Sequence, residues 1–209
     1  GKVRLTVPRF AYHLLLKPNY VEFCRRYPHI QLEVSVSDAA VNLISAGFDI
    51  GIRFGDRIED GMVAKRLTPP MKEALFASPD YLQRHPAPKS PRDLRRHRLV
   101  QYRFIASNQL APLDLMENGQ RIRVEMPIAM IVNDTDVMVD ATMQGVGIGR
   151  MVEPVVKGQL AAKTVKPVLK RYWAPYPGLF AYFPQNSQRA RRIRVLLDFF
   201  EEKAIKRWR

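Results

Sequence analysis

Apolar and polar residues alternate in short segments that follow one another along the whole chain. The segment Ile30–Val36 alternates strictly, which predicts a half-buried strand. Val3–Val7 and Leu179–Phe183 are shorter apolar runs that also predict strands. Apolar residues recur at helical spacing in Ala11–Tyr27 and in the last helix, which Ser187 is expected to cap. Strands that alternate with helices predict an α/β protein with mostly parallel sheets.

Local signals indicate where helices begin and end. Pro18 is expected to interrupt the first helix. Ser37-Asp38 is expected to cap a second helix, which Gly47 would end in a left-handed conformation. Asp134-Thr135 is expected to start another helix, and the glycine-rich segment 145–149 follows it. Because these glycines follow a helix instead of opening one, we interpret them as helix termination and close packing, not as a nucleotide-binding loop.

Composition places the chain among globular proteins and singles out its charge. Of 209 residues, 46% are hydrophobic and 26% are charged, which excludes wholesale disorder. Lys and Arg number 34 against 20 Asp and Glu, a net charge of +14 that suggests an anionic partner. Two dense basic runs, at residues 92–98 and 189–209, are expected to be solvated helix faces. The single cysteine, Cys24, is expected to be a core or interface thiol, and it excludes a disulfide framework and fits a reducing cytoplasm.

Motifs that carry catalysis are not found in the sequence. The four histidines lack the spacing of metal ligands, and no Gly-x-Ser-x-Gly elbow or P-loop occurs. We therefore expect no metal, no cofactor and no enzymatic activity. No apolar run is long enough for a membrane span, which predicts a soluble protein without a membrane partner.

Seven segments occur in a characteristic order and spacing: residues 1–5, 23–32, 36–38, 47–55, 77–82, 132–134 and 145–149. On these segments the chain resembles, over essentially its whole length, the effector-binding domain of LysR-type transcriptional regulators. The resemblance implies two Rossmann-like subdomains joined by two crossover strands, as in type 2 periplasmic binding proteins. Subdomain I would comprise residues 1–76 and 179–209, and subdomain II residues 77–178.

The resemblance also implies a function and a set of partners. A cytoplasmic regulator of this family binds a small molecule between its subdomains and binds DNA through a winged helix-turn-helix domain, which this chain lacks before Gly1. The chain would form a homodimer or tetramer through its first helix and second strand, for which Tyr20, Phe23, Cys24, Leu32 and Val34 are candidates.

Ligands of α/β sheets bind beyond the carboxyl ends of the strands, and helices that start there offer free amides to anions. In this chain those positions, together with the resemblance, give thirteen expected effector contacts, and the effector is expected to be a carboxylate. They are Arg9, Phe10, Ala11, Ser37, Asp38, Arg53, Phe54, Gly55, Tyr102, Arg103, Asn133, Asp134 and Arg150.

Two of these residues depart from the pattern of the family and have two interpretations each. Phe10 replaces the usual Ser or Thr of the first turn, and it either forms an apolar wall for the effector or packs the first helix. Arg150 replaces an aliphatic residue. It either binds the anion together with Arg53 and Arg103, or forms a structural salt bridge, for instance with Asp134 or Asp136.

Three other functions are compatible with the sequence. A solute-binding protein shares the same architecture, and an enzyme could be built on this fold. The basic surface could also bind nucleic acid directly, which a steep salt dependence would reveal.

Overall fold

The computed structural model of the protein describes residues 1–55 and 59–208, with the backbone alone described at residues 188, 189, 205, 207 and 208. The chain divides into two compact units. Unit 1 consists of Gly1–Pro70 and Pro177–Arg209, and unit 2 consists of Met71–Tyr176. The chain therefore leaves unit 1 after Pro70 and returns to it at Pro177.

The regular elements of both units follow one another in short segments. The strands are β1 Lys2–Val7, β2 Gln31–Val36, β3 Ile50–Phe54, β4 Met62–Arg66, β5 Met71–Ala77, β6 Leu99–Tyr102, β7 Leu113–Glu117, β8 Gln120–Val124, β9 Ile128–Val132, β10 Gly149–Val152, β11 Lys166–Val168, β12 Pro175–Tyr176 and β13 Leu179–Pro184. The α-helices are α1 Arg9–Ala11, α2 Tyr20–Arg26, α3 Pro79–Arg84, α4 Thr135–Met143, α5 Glu153–Ala161 and α6 Arg191–Trp208. Shorter 3₁₀ turns occupy Pro91–Arg96, Lys170–Tyr172 and Gln185–Arg189. No described helix combines the length and the apolar character that crossing a membrane requires.

Unit 1 is built on a five-stranded sheet of order β2-β1-β3-β13-β4. β1 runs parallel to β2 and β3, whereas β13 runs antiparallel to β3 and β4. The sheet is therefore mixed, and the prediction of mostly parallel sheets is wrong. β13, the strand that follows the return from unit 2, lies between β3 and β4 and runs antiparallel to both.

The core of unit 1 lies between this sheet and the helices. Val3 and Leu5 of β1 are fully buried, and α6 contributes Ile193, Leu196 and Phe200. Phe23 of α2 is buried against Phe199 of α6, with ring centroids 5.2 Å apart. Helix α6 begins at Arg191, because Gln185–Arg189 form a 3₁₀ turn first; Ser187 is therefore not its cap.

Two helix predictions in unit 1 have different outcomes. The break at Pro18 is confirmed: a π-helical turn, Tyr12–Leu16, ends before it and α2 begins after it. No helix follows Ser37, so that prediction is wrong. The carboxylate of Asp38 accepts a hydrogen bond from the Arg9 amide at 2.7 Å and is committed to the start of α1. Asn42 instead caps a short turn, which Gly47 does end with a φ of +69°.

Unit 2 combines small sheets around one core. β5 pairs antiparallel with β10, β11 and β12, while β6 pairs parallel with β9. β7 and β8 form a hairpin. The buried side chains at the centre are those of Leu75, Leu94, Leu99, Leu113, Leu115 and Ile148.

The glycine-rich segment of unit 2 has the structural role predicted for it. Gly145 ends α4 with a φ of +82°. A Cβ on Gly147 would lie 2.7 Å from the carbonyl oxygen of Arg98, and a Cβ on Gly149 would overlap the Thr142 hydroxyl. Helix termination and close packing are therefore confirmed.

Candidate functional site

In unit 1 the carboxyl ends of β1, β2 and β3 carry eight of the predicted contacts. β1 and β2 are in register to their last residues, Val7 and Val36, so the turns after them lie side by side. The Arg9–Asp38 hydrogen bond joins the two turns. Phe10, which is 7% exposed, stacks on Phe54 at the end of β3 with ring centroids 4.3 Å apart and planes 6° apart. The Phe10 ring thus packs against the end of β3, and its role toward an effector stays a prediction.

A pocket of about 350 Å³ opens beside Phe54 within unit 1. This is within the size range of small-molecule sites. Its lining is mostly apolar and comes from β3, β4, β13, the 37–48 segment and Glu59 ahead of β4. The lining residues are Val41, Leu43, Arg53, Phe54, Glu59, Met62 and Tyr182.

Polar groups of this pocket are few and are held in place. The Arg53 guanidinium donates through Nη2 to the carbonyl of Val41, while its Nη1 lies 3.9 Å from Oε1 of Glu59. The hydroxyl of Tyr182 donates to the carbonyl of Gly55, which has a φ of +79°. The Glu59 side chain is 64% exposed, so its hold on Arg53 is weak. Arg53 therefore places a positive charge in an apolar wall.

In unit 2 four other predicted contacts lie at the ends of β6 and β9. These strands are parallel and pair Tyr102 with Val132, so their ends are adjacent. Arg103 donates from its backbone to the Val132 carbonyl at 2.8 Å and from Nη1 to the Asn108 carbonyl at 2.6 Å. Asn133 is exposed. Asp134 caps α4 by accepting from the amides of residues 136 and 137.

Three of the helix-start amides that we expected to receive an anion are hydrogen-bonded to carboxylates of the protein. The Asp134 carboxylate takes those at the start of α4, and the Asp38 carboxylate takes that of Arg9. The prediction of free amides at two helix starts is therefore wrong for the amides of Arg9, Asp136 and Val137. In the pocket of unit 1, Arg53 is the basic side chain among the lining residues.

Comparisons with known proteins bear on what this arrangement does. The model of the LysR substrate binding domain matches residues 1–205. The chain belongs to this family. A putative transcriptional regulator of Pseudomonas aeruginosa is 28% identical over 198 residues, which are 95% of this chain and 65% of that protein. The uncharacterized HTH-type transcriptional regulator YhjC of Escherichia coli K12 is 31% identical over 200 residues. The LysR substrate-binding domain described here thus spans about two thirds of the curated relatives it matches.

Solved structures confirm the fold of the LysR substrate-binding domain. The CrgA regulatory domain of Neisseria meningitidis matches with a TM-score of 0.86 and 24% identity over 98% of both chains. The regulatory domain of an AphB variant from Vibrio vulnificus matches with a TM-score of 0.83 and 20% identity over 98% of this chain and 99% of that one. The predicted fold class, two Rossmann-like subdomains of the periplasmic-binding-protein type, is confirmed.

Arg150 forms a structural salt bridge in this LysR substrate-binding domain. Its side chain is 6% exposed, and Nε lies 2.9 Å from Oε1 of Glu73. Its remaining nitrogens donate to the carbonyls of Ala111, at 3.3 Å, and Pro112, at 2.7 Å. Burial raises the pKa of the Glu73 carboxyl, although Arg150 acts in the opposite direction. The partner is thus Glu73, a residue that neither interpretation named.

Sequence reasoning missed several residues of the domain. Within the described ranges, Thr135 Oγ1 is a buried side-chain oxygen without a hydrogen-bond partner, at the first position of α4. Val41, Leu43, Glu59, Met62 and Tyr182 line the pocket but were not expected there. Thr135 directly follows Asp134, the cap residue of α4, so the sequence does indicate that it lies at a helix start.

No group of three or more His, Cys, Asp or Glu side chains suited to a metal occurs in the described part of the chain.

Proposed function

We propose that this LysR substrate-binding domain senses a small apolar carboxylate and serves as the regulatory domain of a transcription regulator. The observation that carries the proposal is the Arg53 guanidinium in the apolar pocket of unit 1. Its side chain is 31% exposed, so a ligand can reach it. A carboxylate would replace the weakly held Glu59 on Arg53, and the apolar part would contact Val41, Leu43 and Met62.

The remaining predicted contacts are assigned by unit. In unit 1, Arg9, Phe10, Ala11, Ser37, Asp38 and Gly55 surround or support the residues that would touch the ligand. In unit 2, the exposed Asn133 and the buried, unpartnered Thr135 hydroxyl are the groups that a ligand could satisfy, beside Tyr102, Arg103 and Asp134. Arg150 would stabilise the fold of unit 2 through its salt bridge with Glu73 and would not contact the ligand.

Thermal-shift screening of the domain against small carboxylates tests this assignment, because a ligand that binds only the native state raises its stability. An aromatic or branched aliphatic carboxylate is expected to raise the midpoint, and the uncharged amide of the same compound is not. Arg53→Gln should lower the affinity for the active carboxylate about 10-fold or more. Arg25→Gln, a change at an exposed arginine of α2, is the matched control and should leave the affinity unchanged. Equal binding by wild type and Arg53→Gln would contradict the assignment.

The regulator as a whole would bind DNA through a winged helix-turn-helix segment outside these 209 residues. This part of the proposal is supported by relatives that are described as HTH-type transcriptional regulators. Regulation requires that the ligand bind one conformation more tightly than another. A regulator that acts on DNA works in the cytoplasm, and the free thiol of Cys24 is compatible with that compartment. The domain would not turn its ligand over, which recovery of unchanged carboxylate after prolonged incubation tests.

We further propose a homodimer through α2 and β2. β2 is the edge strand of the unit 1 sheet, so one side of its backbone is unpaired within the sheet. Tyr20 and Val21 on α2 are 42% and 46% exposed, and Cys24 is exposed as well, so it is not a core thiol. Phe23, in contrast, is buried against Phe199 and belongs to the core. Sedimentation of Val21→Glu against Ile44→Glu, a change at an exposed position on a turn, tests this: only the former should shift the domain to monomer.

A further inference from the structure

Unit 2 presents a cluster of exposed basic side chains around its first 3₁₀ turn. The cluster, which we call the arginine patch, consists of Lys89, Arg92, Arg95, Arg96 and Arg98, all exposed. None of the five forms a salt bridge with an acidic side chain in the described ranges, where the limit for a salt bridge is 4.0 Å. Four guanidinium groups and one ammonium group therefore face solvent within ten residues of chain.

The one acidic residue in this segment does not neutralise the patch. Oδ2 of Asp93 accepts hydrogen bonds from the amides of Lys89 and Ser90, both at 3.0 Å, and from the Ser90 hydroxyl at 3.2 Å. These bonds, above all those from the two amides, hold the pKa of the Asp93 carboxyl below its ordinary value. The carboxylate thus closes the capping box of the turn, and its attraction to Arg96 is a lesser contribution than its bonds to the backbone.

The backbone beneath the patch is fixed by buried side chains. Pro91 and Leu94 are buried, and Leu94 is fully enclosed in the core of unit 2. His97 is 4% exposed and its Nδ1 lies 3.2 Å from the hydroxyl of Tyr81. In a 3₁₀ helix residues three apart lie on the same face, so Arg92 and Arg95 project together. The core therefore fixes the backbone positions from which the basic side chains project.

Three basic side chains of α6 form salt bridges with acidic side chains of unit 1. Arg192 lies 3.5 Å from Asp49, Lys203 pairs with Glu22, and Lys206 lies 3.0 Å from Glu202. The side chains of residues 189, 207 and 209 lie outside the described residues. These three charges are thus paired within the fold, whereas Arg191 and Arg194 of α6 are exposed and do not take part in these pairs.

The composition of the patch indicates which polyanion it fits. Guanidinium groups match the geometry of phosphate oxygens. The apolar residues between them, Pro91 and Leu94, are buried, so the patch lacks the exposed apolar anchors of a protein interface. It also lacks exposed aromatic rings on which single-stranded bases could stack. These properties favour the phosphate backbone of a duplex.

We propose that the arginine patch binds the phosphate backbone of duplex DNA without reading its bases. The choice of DNA rests on the proposed function, because a linked helix-turn-helix segment would keep a duplex at high local concentration. The test uses the 209-residue chain, which lacks such a segment. A failure of the patch therefore leaves carboxylate binding intact, and a failure of carboxylate binding leaves the patch intact.

The experiment is fluorescence anisotropy of a labelled random-sequence duplex of about 20 base pairs, titrated with the chain at several salt concentrations. Binding should be weak and should fall with salt by about 0.9 in log K per log salt for each phosphate contact. Joint replacement of Arg92, Arg95 and Arg96 by Ala should weaken binding about 10-fold or more at low salt and reduce this slope by about 3. Joint replacement of Lys17, Lys157 and Lys166 by Ala removes the same charge from scattered exposed positions and should leave the slope nearly unchanged.

Three outcomes would overturn the proposal. The scattered-lysine variant could lose as much affinity as the patch variant, so that net charge alone explains binding. Polyglutamate of equal charge could compete as well as DNA, which would indicate an acidic protein as partner. Wild type and patch variant could also bind DNA equally. Thermal unfolding of each variant checks that it is folded before the comparison is made.

Discussion

Arg150 and Glu73 form a buried ion pair that joins β10 to β5, with 2.9 Å between Nε and Oε1 and side-chain exposures of 6% and 12%. Removing one partner leaves the other charge buried without compensation, which is among the costliest changes in a protein interior. Glu73→Ala and Arg150→Ala are each expected to lower the free energy of unfolding by about 3–5 kcal/mol, measured by urea denaturation. The double variant should lose less than the sum of the two.

Asp80→Ala provides the matched control for that pair. It removes an exposed salt bridge between Asp80 and Arg84, whose atoms lie 2.9 Å apart, and should change the stability by less than about 1 kcal/mol. Because Arg150 is held within the protein, its replacement should also leave carboxylate affinity unchanged at temperatures where the variant is folded. A loss of carboxylate affinity in calorimetric titration would indicate that Arg150 contacts the ligand.

The stacked rings of Phe10 and Phe54 give a second prediction about stability. Phe10→Ala should cost about 3–5 kcal/mol, since it removes a buried ring and leaves a cavity. Phe10→Leu keeps most of the volume and should cost about 1 kcal/mol, near the value of the aromatic pair itself. Equal unfolding midpoints for wild type and Phe10→Ala would mean that the ring does not support the turn after β1.

His97 predicts a pH dependence of stability. Burial lowers the pKa of its imidazole from the ordinary value of 6.5, with His85 acting in the same direction. Near and below pH 6.5 the unfolded chain therefore binds more protons than the folded one, and stability falls as the pH decreases through that window. The free energy of unfolding of wild type should drop more steeply below pH 6.5 than that of His97→Gln. Parallel pH profiles for the two proteins are the result that would refute it.

Close packing at the glycines of unit 2 gives a fourth prediction. Gly147→Ala places a Cβ against the carbonyl of Arg98 and Gly149→Ala places one against Thr142, and each should destabilise by about 1–3 kcal/mol. Gly158 lies inside α5, and a Cβ added there would meet nothing within 4 Å, so Gly158→Ala should stabilise by about 0.5–1 kcal/mol. Thermal or chemical unfolding of the three variants tests whether the free energy of unfolding decreases in the first two and increases in the third.

The predictions from sequence were correct where the signal is local. The alternation in β2, the break at Pro18 and the cap of α4 by Asp134 depend on neighbouring residues. The β7–β8 hairpin was missed although Asn118-Gly119, with φ values of 50° and 76°, is a local turn signal that the sequence contains. The helix predicted after Ser37 failed for a different reason, because Asp38 is bound by Arg9, which lies 29 residues earlier.

Among the candidate site residues, too, those with a local signal were predicted and those positioned by distant residues were missed. Arg53 and Phe54 were predicted from the end of one strand and do line the pocket. Tyr182 was not predicted, since it reaches the pocket only through the pairing of β13 with β3 and β4. Glu73, the partner of Arg150, is 77 residues away in sequence. Such partners are determined by strand register, which one sequence does not reveal.

The position of β13 between β3 and β4 has a consequence for the synthesis of the protein. Unit 2 is one continuous segment, Met71–Tyr176, and can be completed as soon as Tyr176 has left the ribosome. The first 70 residues must wait longer, because β4 is joined to their sheet only through β13. During translation, β3 therefore exposes an unpaired edge until Leu179–Pro184 emerges. The first 70 residues, a third of the chain, are therefore the part that most needs protection from aggregation until the last segment emerges.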